Sequence, residues 1–375
     1  MEWLDKLRVL DIIIVRTMKS LVTLCLFITF SNSSILHAPG DIHGLRFISV
    51  MEGWMVGKEG AIFHTTDGGE SFSKIEPIVD VLLTSVDFSD QGHGWAVGEI
   101  GTILHTDDRG QTWVKQTSPV PYQLLGVFAL GREEAWIVGD WGTLLHTKDG
   151  GRNWEDRSLN IPIEKAGVME PAAFEDLKDP MTGNVLVKKG ETITAETKES
   201  LGKKGIRIRI REDVILNDLF FLNSHIGWIA GEAGLLLHTR DDGRSFSRSI
   251  LGKGADPYGP PPPSLYGVGF AAGSKGLVVG LMGTAYRLGI GSAPPARVEM
   301  GTDKDLYSVS MSGKTVCIAG SDGTALVSSD GGNTFKAVKE KGLELKWLRR
   351  ASATEGVCYF GGEGGVLLKV TTGEE

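Results

Sequence analysis

Beyond residue 40 the chain alternates short apolar runs with breaks rich in glycine, aspartate and serine, and nothing in the repeating part carries helical periodicity. Leu83 to Phe88, Gly94 to Val97, Thr102 to Thr106 and Thr112 to Gln116 predict four successive β-strands. The same unit recurs. Gly53-Trp54-Met55-Val56-Gly57 returns as Gly94-Trp95-Ala96-Val97-Gly98, Ala135-Trp136-Ile137-Val138-Gly139 and Gly227-Trp228-Ile229-Ala230-Gly231, and weaker copies end at Gly280, Gly320 and Gly361. A leucine followed three residues later by Val, Ile or Leu marks the start of each unit, at Leu45, Leu83, Leu124, Leu216, Leu265, Leu306 and Leu345. Both markers count seven units, spaced by about 41 residues.

A unit of this size with four short strands suits one blade of a β-propeller, and a blade cannot bury both of its faces alone. The expected fold is therefore all-β, a seven-bladed β-propeller over residues 39–375, with Trp54, Trp95, Trp136 and Trp228 packed between blades. The last unit ends at Thr371 to Glu375 with no room for a fourth strand. Ser34 to Pro39 is expected to supply it, as a strap joining the two ends of the chain. Spacing lengthens across two intervals. The longer one, residues 160–211, reads as a small inserted β-α-β module between blades 3 and 4: a strand from Asn184 to Lys188, a helix from Thr194 to Lys203 and a strand from Ile206 to Arg211.

Residues 1–38 have the layout of an export signal, with Lys19 before the apolar run Leu21 to Phe30 and a polar stretch from Ser31 to Ala38. Met18 offers an alternative start. Arg16 and Lys19 cut the apolar run below the roughly 20 residues of a membrane-spanning helix. This predicts an extracytoplasmic protein, periplasmic or secreted. Cys25 lies in the leader, so Cys317 and Cys358 would remain, in Val-Cys-Ile-Ala-Gly and Val-Cys-Tyr-Phe-Gly. They read as equivalent positions of neighbouring repeats, where earlier copies carry Trp. Two free thiols filling a Trp-sized slot are expected, with a disulfide as the open alternative. The 375 residues would by length alone suggest two domains, which the repeat overrides, and a formal net charge of -8 argues against nucleic acid as a partner.

Five repeats share Ser or Thr, then Asp, then Gly and an aromatic: Thr65/Asp67/Gly69/Phe72, Thr106/Asp108/Gly110/Trp113, Thr147/Asp149/Gly151/Trp154, Thr239/Asp241/Gly243/Phe246 and Ser328/Asp330/Gly332/Phe335. In a hairpin loop the hydroxyl and carboxylate can accept backbone N–H groups that the turn leaves unpaired, and the aromatic can pin the loop. A structural role is thus expected for Asp67, Asp108, Asp149, Asp241 and Asp330. The motif resembles the Asp-box, or bacterial neuraminidase repeat. With Gly-Trp-Ala-Val-Gly and Thr-Ile-Leu-His-Thr, the whole repeat from about residue 41 to 375 resembles the photosystem II stability/assembly factor family of seven-bladed propellers. That resemblance implies a non-catalytic extracytoplasmic scaffold that holds a membrane or envelope protein during assembly.

The rival reading is a carbohydrate-binding or sialidase-like hydrolysing propeller, which would need an arginine cluster, an activated Tyr and a carboxylic acid near the axis. Arg46, Arg349, Tyr266 and Tyr307 lie in first strands, but no Arg-Ile-Pro motif accompanies them. His64, His105, His146 and His238 hold one repeat position each and so are spread over separate blades; neither a metal site nor a cofactor is expected. Ile206 to Arg211 alternates isoleucine with arginine, which predicts a basic stripe of Arg207, Arg209 and Arg211, joined by Lys188 and Lys189. It would suit an acidic protein partner or make peripheral contact with an anionic surface; a soluble edge strand is the plain alternative. Trp347, Arg349 and Arg350 on the last blade form a second candidate partner site. A monomer is expected.

Overall fold

The computed structural model describes residues 33–89, 92–162, 171–252, 259–271, 275–291 and 293–372. The chain divides into residues 1–34 and 35–375. The export-signal reading of residues 1–32 lies outside the described residues, among which no helix is long and apolar enough to cross a membrane.

Seven four-stranded antiparallel sheets follow one another, each with consecutive strands except the last. Blade 1 runs Gly44–Phe47, Gly53–Val56, Ile62–Thr65 and Ser73–Ile75. In blade 2, Leu83–Phe88, Gly94–Gly98, Ile103–Thr106 and Val114–Gln116 match the expected strands to within two residues. Blade 7 pairs Leu348–Thr354, Val357–Gly362 and Val366–Thr371, and its outermost strand is Ser33–His37. The expected strap is therefore present one residue upstream of Ser34. Ala38 N–H donates to Gly365 O at 2.7 Å just beyond it.

The core lies between blades. Seven apolar clusters each draw on two neighbouring sheets, including one that joins blade 7 to blade 1. Trp54 of blade 1 stacks on Phe88 of blade 2 at 3.8 Å, Trp136 on Phe221 at 4.6 Å and Trp228 on Phe270 at 4.0 Å. Each buried Trp contributes a few kcal/mol by removal from water, roughly 2–4 by area. The glycine ahead of the Trp serves the same seam. A Cβ at Gly94 would sit 2.6 Å from the Phe88 ring that receives Trp54. Blade 3 makes the exchange on both sides, with Ala135 for the glycine and Ala129 for the Phe. The four repeated histidines lie against the same tryptophans: His146 stacks on Trp136 at 3.7 Å and His64 on Trp54 at 4.6 Å. Burial pushes His105, His146 and His238 down, which keeps these rings neutral.

The strand pairing corrects the alignment of the end repeats. In blade 7 Leu348 pairs with Gly362 as Leu306 pairs with Gly320, so the unit begins at Leu348 and closes at Gly362, not at Leu345 and Gly361. Leu345 is exposed. In blade 1 Ile42, not Leu45, fills the place of Leu83, since each donates its N–H to the closing glycine of the previous blade. The count of seven is unaffected, but the cysteines are not equivalent. Tyr359 takes the Trp slot of blade 7 and stacks on Phe47 of blade 1 at 3.6 Å, leaving Cys358 one position earlier. Successive strand residues face opposite sides, so Cys317 looks toward blade 7 and Cys358 looks back toward blade 6. The two form a disulfide across the seam, with Cα atoms 5.6 Å apart, which overturns the expectation of free thiols.

The Asp-box loops brace themselves. In blade 2 the Thr106 hydroxyl donates to Asp108 at 2.8 Å and accepts Gly110 N–H at 2.9 Å, while Asp108 accepts Thr112 N–H at 2.9 Å and the Thr112 hydroxyl at 2.7 Å. The pattern repeats at Asp67, Asp149, Asp241 and Asp330. Bonds from Ser71, Asn153 and Ser245 hold Asp67, Asp149 and Asp241 at about 2, and those from Thr334 lower Asp330 as well.

Two outcomes follow from these braces. The lowered carboxyls bind fewer protons folded than unfolded, so the stability they lend is complete above about pH 4 and lost as pH falls toward about 2. Thermal unfolding followed by circular dichroism should show its steepest loss in that window, and the loss should shrink in Asp67→Asn with Asp241→Asn. The disulfide closes a loop of 41 residues, worth about 4 kcal/mol by chain entropy. Urea unfolding of Cys317→Ala with Cys358→Ala should show most of that deficit, and an unchanged midpoint would contradict the bond.

Candidate functional site

In six blades the inner strand bulges directly after its first leucine: the register shifts between Leu83 and Ser85, Leu124 and Gly126, Leu216 and Asp218, Leu265 and Gly267, Leu306 and Ser308, and Leu348 and Arg350. A bulge sets one residue outside the pairing and re-aims its side chain. Here those residues are Thr84, Leu125, Asn217, Tyr266, Tyr307 and Arg349, and His43 matches them in blade 1. All seven line one cavity of about 440 Å³, together with Leu82, Gln123, Trp347 and Arg350. Every blade contributes, and the seven residues are of six kinds, tyrosine alone occurring twice.

The cavity is aromatic and basic. Tyr266 and Tyr307 meet edge to face at 5.8 Å, the Arg349 guanidinium lies over the Tyr307 ring at 5.5 Å, and His43 tilts against Trp347 at 5.3 Å. No Asp or Glu is among the lining residues. Burial, reinforced by the neighbouring Arg350 charge, lowers Arg349, although a guanidinium stays protonated. Burial, with the charge of Arg349, also lowers His43 and leaves it neutral near pH 7. Arg350 reaches across the ring to donate to Leu125 O at 2.9 Å.

Further along the inner strands the channel narrows to a void of about 110 Å³ whose walls include Arg46, Asp87, Asp218, Ser308, Ser310, Ser352 and Arg350. Most of its polar groups are engaged in joining blades. Asp87 accepts Ala129 N–H at 2.8 Å and pairs with Arg46 at 3.0 Å; Asp218 accepts Val268 N–H at 3.0 Å. Ser352, Ser308 and Ser310 accept Phe47, Ala351 and Ala353 N–H groups. Burial raises Asp218 to about 6 against the opposing charge of Arg350. Asp87 and Asp218 are axial carboxylates that sequence reading did not single out, because neither lies in a motif. Of the hydrolase parts, the structure brings Tyr266, Tyr307 and Arg349 together, and it places Arg46 in the channel beyond them. The tyrosine is not activated: burial first, then Asp305, raises Tyr307.

The loops joining second to third strands stand at the end of each blade where the inner strand begins, so they rim this mouth. Each carries a residue at positive φ followed by a positive-φ glycine, as a type I′ turn requires: Glu59, Ile100, Trp141, Ala233, Met282 and Asp322, with Gly364 in blade 7. Asn, Asp or Gly usually occupies such a place. Ile100 is 72% exposed at φ 54°, and Trp141 and Met282 are exposed as well. Three large apolar side chains are thus held in a conformation they resist.

The basic stripe is not presented as expected. Ile208 and Ile210 are buried in the insertion's own core with Leu177, Val187, Ile193 and Leu201, as the alternation requires. Arg211 is buried too, paired with Asp156 at 2.5 Å and lying 5.2 Å from the Tyr122 ring. Lys189 shares the same carboxylate at 2.5 Å, and Arg209 bonds Asn160. Burial alone would raise Asp156, but Lys189 and Ser158 bonds and the Arg211 charge bring it below its ordinary value. Arg211 and Lys189 anchor the insertion to the outer strand of blade 3 through Asp156, and Arg209 ties the insertion's own two strands together. Arg207, Arg209 and Lys188 of the five remain exposed without an ion pair among the described residues, and of these Arg209 is held by Asn160. The module itself has the expected helix, Ala195–Lys203, capped by Thr194, but its strands do not pair around it. Val185–Val187 pairs with Leu177–Lys178, and Arg209–Arg211 with Asn160–Pro162.

The Asp-box carboxylates stay on their own outer loops. A larger groove of about 590 Å³ between the outer parts of blades 4 and 5 includes Asp241 and His238, but only two blades build it. Among the described residues no group of three His, Cys, Asp or Glu could hold a metal.

Residues 76–168 match the family model described as photosynthesis system II assembly factor YCF48. A solved structure of YCF48 bound to D1 peptide is 18% identical at a TM-score of 0.63, covering 92% of this chain and 99% of that one. YCF48 from Cyanidioschyzon merolae is 18% identical at 0.58, covering 90% and 98%. Virginiamycin B lyase from Staphylococcus aureus, solved with quinupristin, is 10% identical at 0.64, covering 90% and 98%. No curated protein matches the sequence. The resemblance to the assembly-factor family and the seven-bladed architecture both hold.

The strained rim gives a stability test. Ile100→Gly should raise the unfolding free energy by about 1 kcal/mol, because glycine occupies positive φ freely. Urea unfolding measures it, and a loss of stability would show that Ile100 is supported by contacts the loop does not display.

Proposed function

We propose that the chain is a non-catalytic extracytoplasmic scaffold that holds a segment of a protein partner at the axial mouth, in the manner of an assembly factor for a membrane or envelope complex. The carrying observation is the convergence of seven residues of six kinds, one from each blade, on one cavity whose lining has hydrogen-bonding and aromatic groups but no carboxylate to act as acid or base. A propeller similar in fold and in its family-matched stretch, YCF48, has been solved bound to D1 peptide, which supports a peptide-sized ligand. The acidic net charge speaks against nucleic acid. The buried disulfide and the apolar run Leu21 to Phe30 both favour export to an oxidising compartment.

A hydrolase would need Tyr307 lowered and a free acid beside it. Tyr307 is instead raised, and Asp218 is engaged by a backbone N–H in the narrow part of the channel. The tagged mature chain, incubated with detergent-solubilised envelope, should retain one membrane polypeptide near equal stoichiometry and should turn over no chromogenic glycoside. Hydrolysis that disappears in Tyr307→Phe, with no retained polypeptide, would replace the scaffold by the rival enzyme.

A further inference from the structure

We propose that the axial pocket is a carboxylate site, in which Arg349 and the Nε2 of His43 receive a carboxylate of an extended polypeptide segment while Tyr266, Tyr307 and Trp347 hold the carbon atoms that precede it. This rests on the scaffold reading and names what the scaffold grips. The first argument is unbalanced charge. Four other arginines have their carboxylate, Arg46 with Asp87, Arg157 with Glu155, Arg211 with Asp156 and Arg248 with Glu212, while Arg287 and Arg350 each donate to a backbone carbonyl. Arg349 has none among the described residues; its one close partner is the face of Tyr307. Stacking on a ring leaves the edge of the guanidinium, with its parallel N–H donors, available to a planar carboxylate.

A half-buried cation beside a second cation is costly to desolvate, and an anion that brings a counter-charge offsets that cost. Arg350 spends one donor on Leu125 O across the ring, while its buried Nε has no partner and lies in the same lining. The second argument is an orphaned polar atom. His43 Nε2 is buried with no hydrogen-bond partner and lines the same cavity. As a neutral imidazole carrying its proton there, it is a donor without an acceptor.

Shape then limits the ligand. Beside the cavity of about 440 Å³ lies a void of only about 110 Å³ whose Asp87 and Asp218 are balanced by Arg46 and Arg350. A void of that size does not admit a polypeptide, so the segment enters by its charged group and stops at Arg349. Three aromatic side chains with Leu82 and Leu125 suit aliphatic and peptide carbons. The carboxylate has two sources, a chain terminus or an Asp or Glu side chain.

Four probes separate the cases on the immobilised mature chain: a fluorescein-labelled random hexapeptide pool free of Asp and Glu with a free C-terminus, the same pool C-terminally amidated, an amidated pool with a fixed central Glu, and N-acetylneuraminic acid as competitor. The free-acid pool, the Glu pool or both should be retained at least tenfold more than the neutral amidated pool, and whichever is retained identifies the source. Arg349→Gln should abolish the difference, and Arg349→Lys should keep part of it, with melting temperatures within a few degrees of the parent. His43→Phe should weaken retention severalfold and leave Asp-box and blade packing untouched. Equal retention of neutral and acidic pools, or displacement by the sugar acid with no peptide retained, would overturn the assignment. Envelope-partner capture undiminished in a folded Arg349→Gln chain would remove the carboxylate site and leave the scaffold reading standing.

Discussion

Everything in this molecule depends on closing the ring. A blade has two apolar faces and can bury them only against its neighbours, so the seventh must find the first. At that seam Tyr359 stacks on Phe47, its hydroxyl donates to Val50 O at 2.6 Å, and the Ser352 hydroxyl accepts Phe47 N–H. The strap adds main-chain pairing, with Ile35 and Leu36 packed into two different apolar clusters. Closure makes the inner strands rigid, and rigidity there lets their first residues bulge out of register without loss of the sheet. The irregular mouth is possible because the rest is regular.

The seams also show two physical routes to one end. Blades 1 to 4 turn a Trp toward the next blade, blade 7 does so with Tyr359, and blade 5 fills the same place with Leu277. Blade 6 instead offers Cys317, which removes most of the buried area that a Trp would supply. The covalent link to Cys358 recovers that deficit by constraining the unfolded chain. A bond of this kind ties the fold to an oxidising environment, whereas an aromatic stack is indifferent to it.

The ring was legible in the sequence because its seams repeat chemistry: a Trp faces either a Phe with a glycine to make room or, at blade 3, two alanines, so the signature returns across the blades. The Asp-box loops were legible for the same reason. The error of one residue at Cys358 arose where the signature fades, and in a strand one residue is the difference between facing the preceding blade and facing the next. Arg211 was misplaced because period two says which side a residue takes and not whether that side is wet; blade 3 covers it through Asp156 and Tyr122. The axial cavity was invisible as a unit. Its residues are dispersed from His43 to Arg350, so in the sequence Trp347, Arg349 and Arg350 group as a partner site while Tyr266 and Tyr307 are weighed apart from them, as parts of a hydrolase.

That dispersal has a consequence for what the axis can do. Catalysis by paired groups needs an acid and a base left free to exchange protons, yet Asp87 and Asp218, the axial carboxylates, bind the backbone of the next blade. Freeing either would unpair a buried N–H at a seam, a penalty of about 1–3 kcal/mol in the element that holds the ring together. The mouth carries no such duty for Arg349 or for His43 Nε2, whose hydrogen-bonding capacity the fold does not consume. Ring closure thus sorts the axial polar groups into those spent on structure and those whose hydrogen-bonding capacity stays open at the mouth, Arg349 and His43 Nε2.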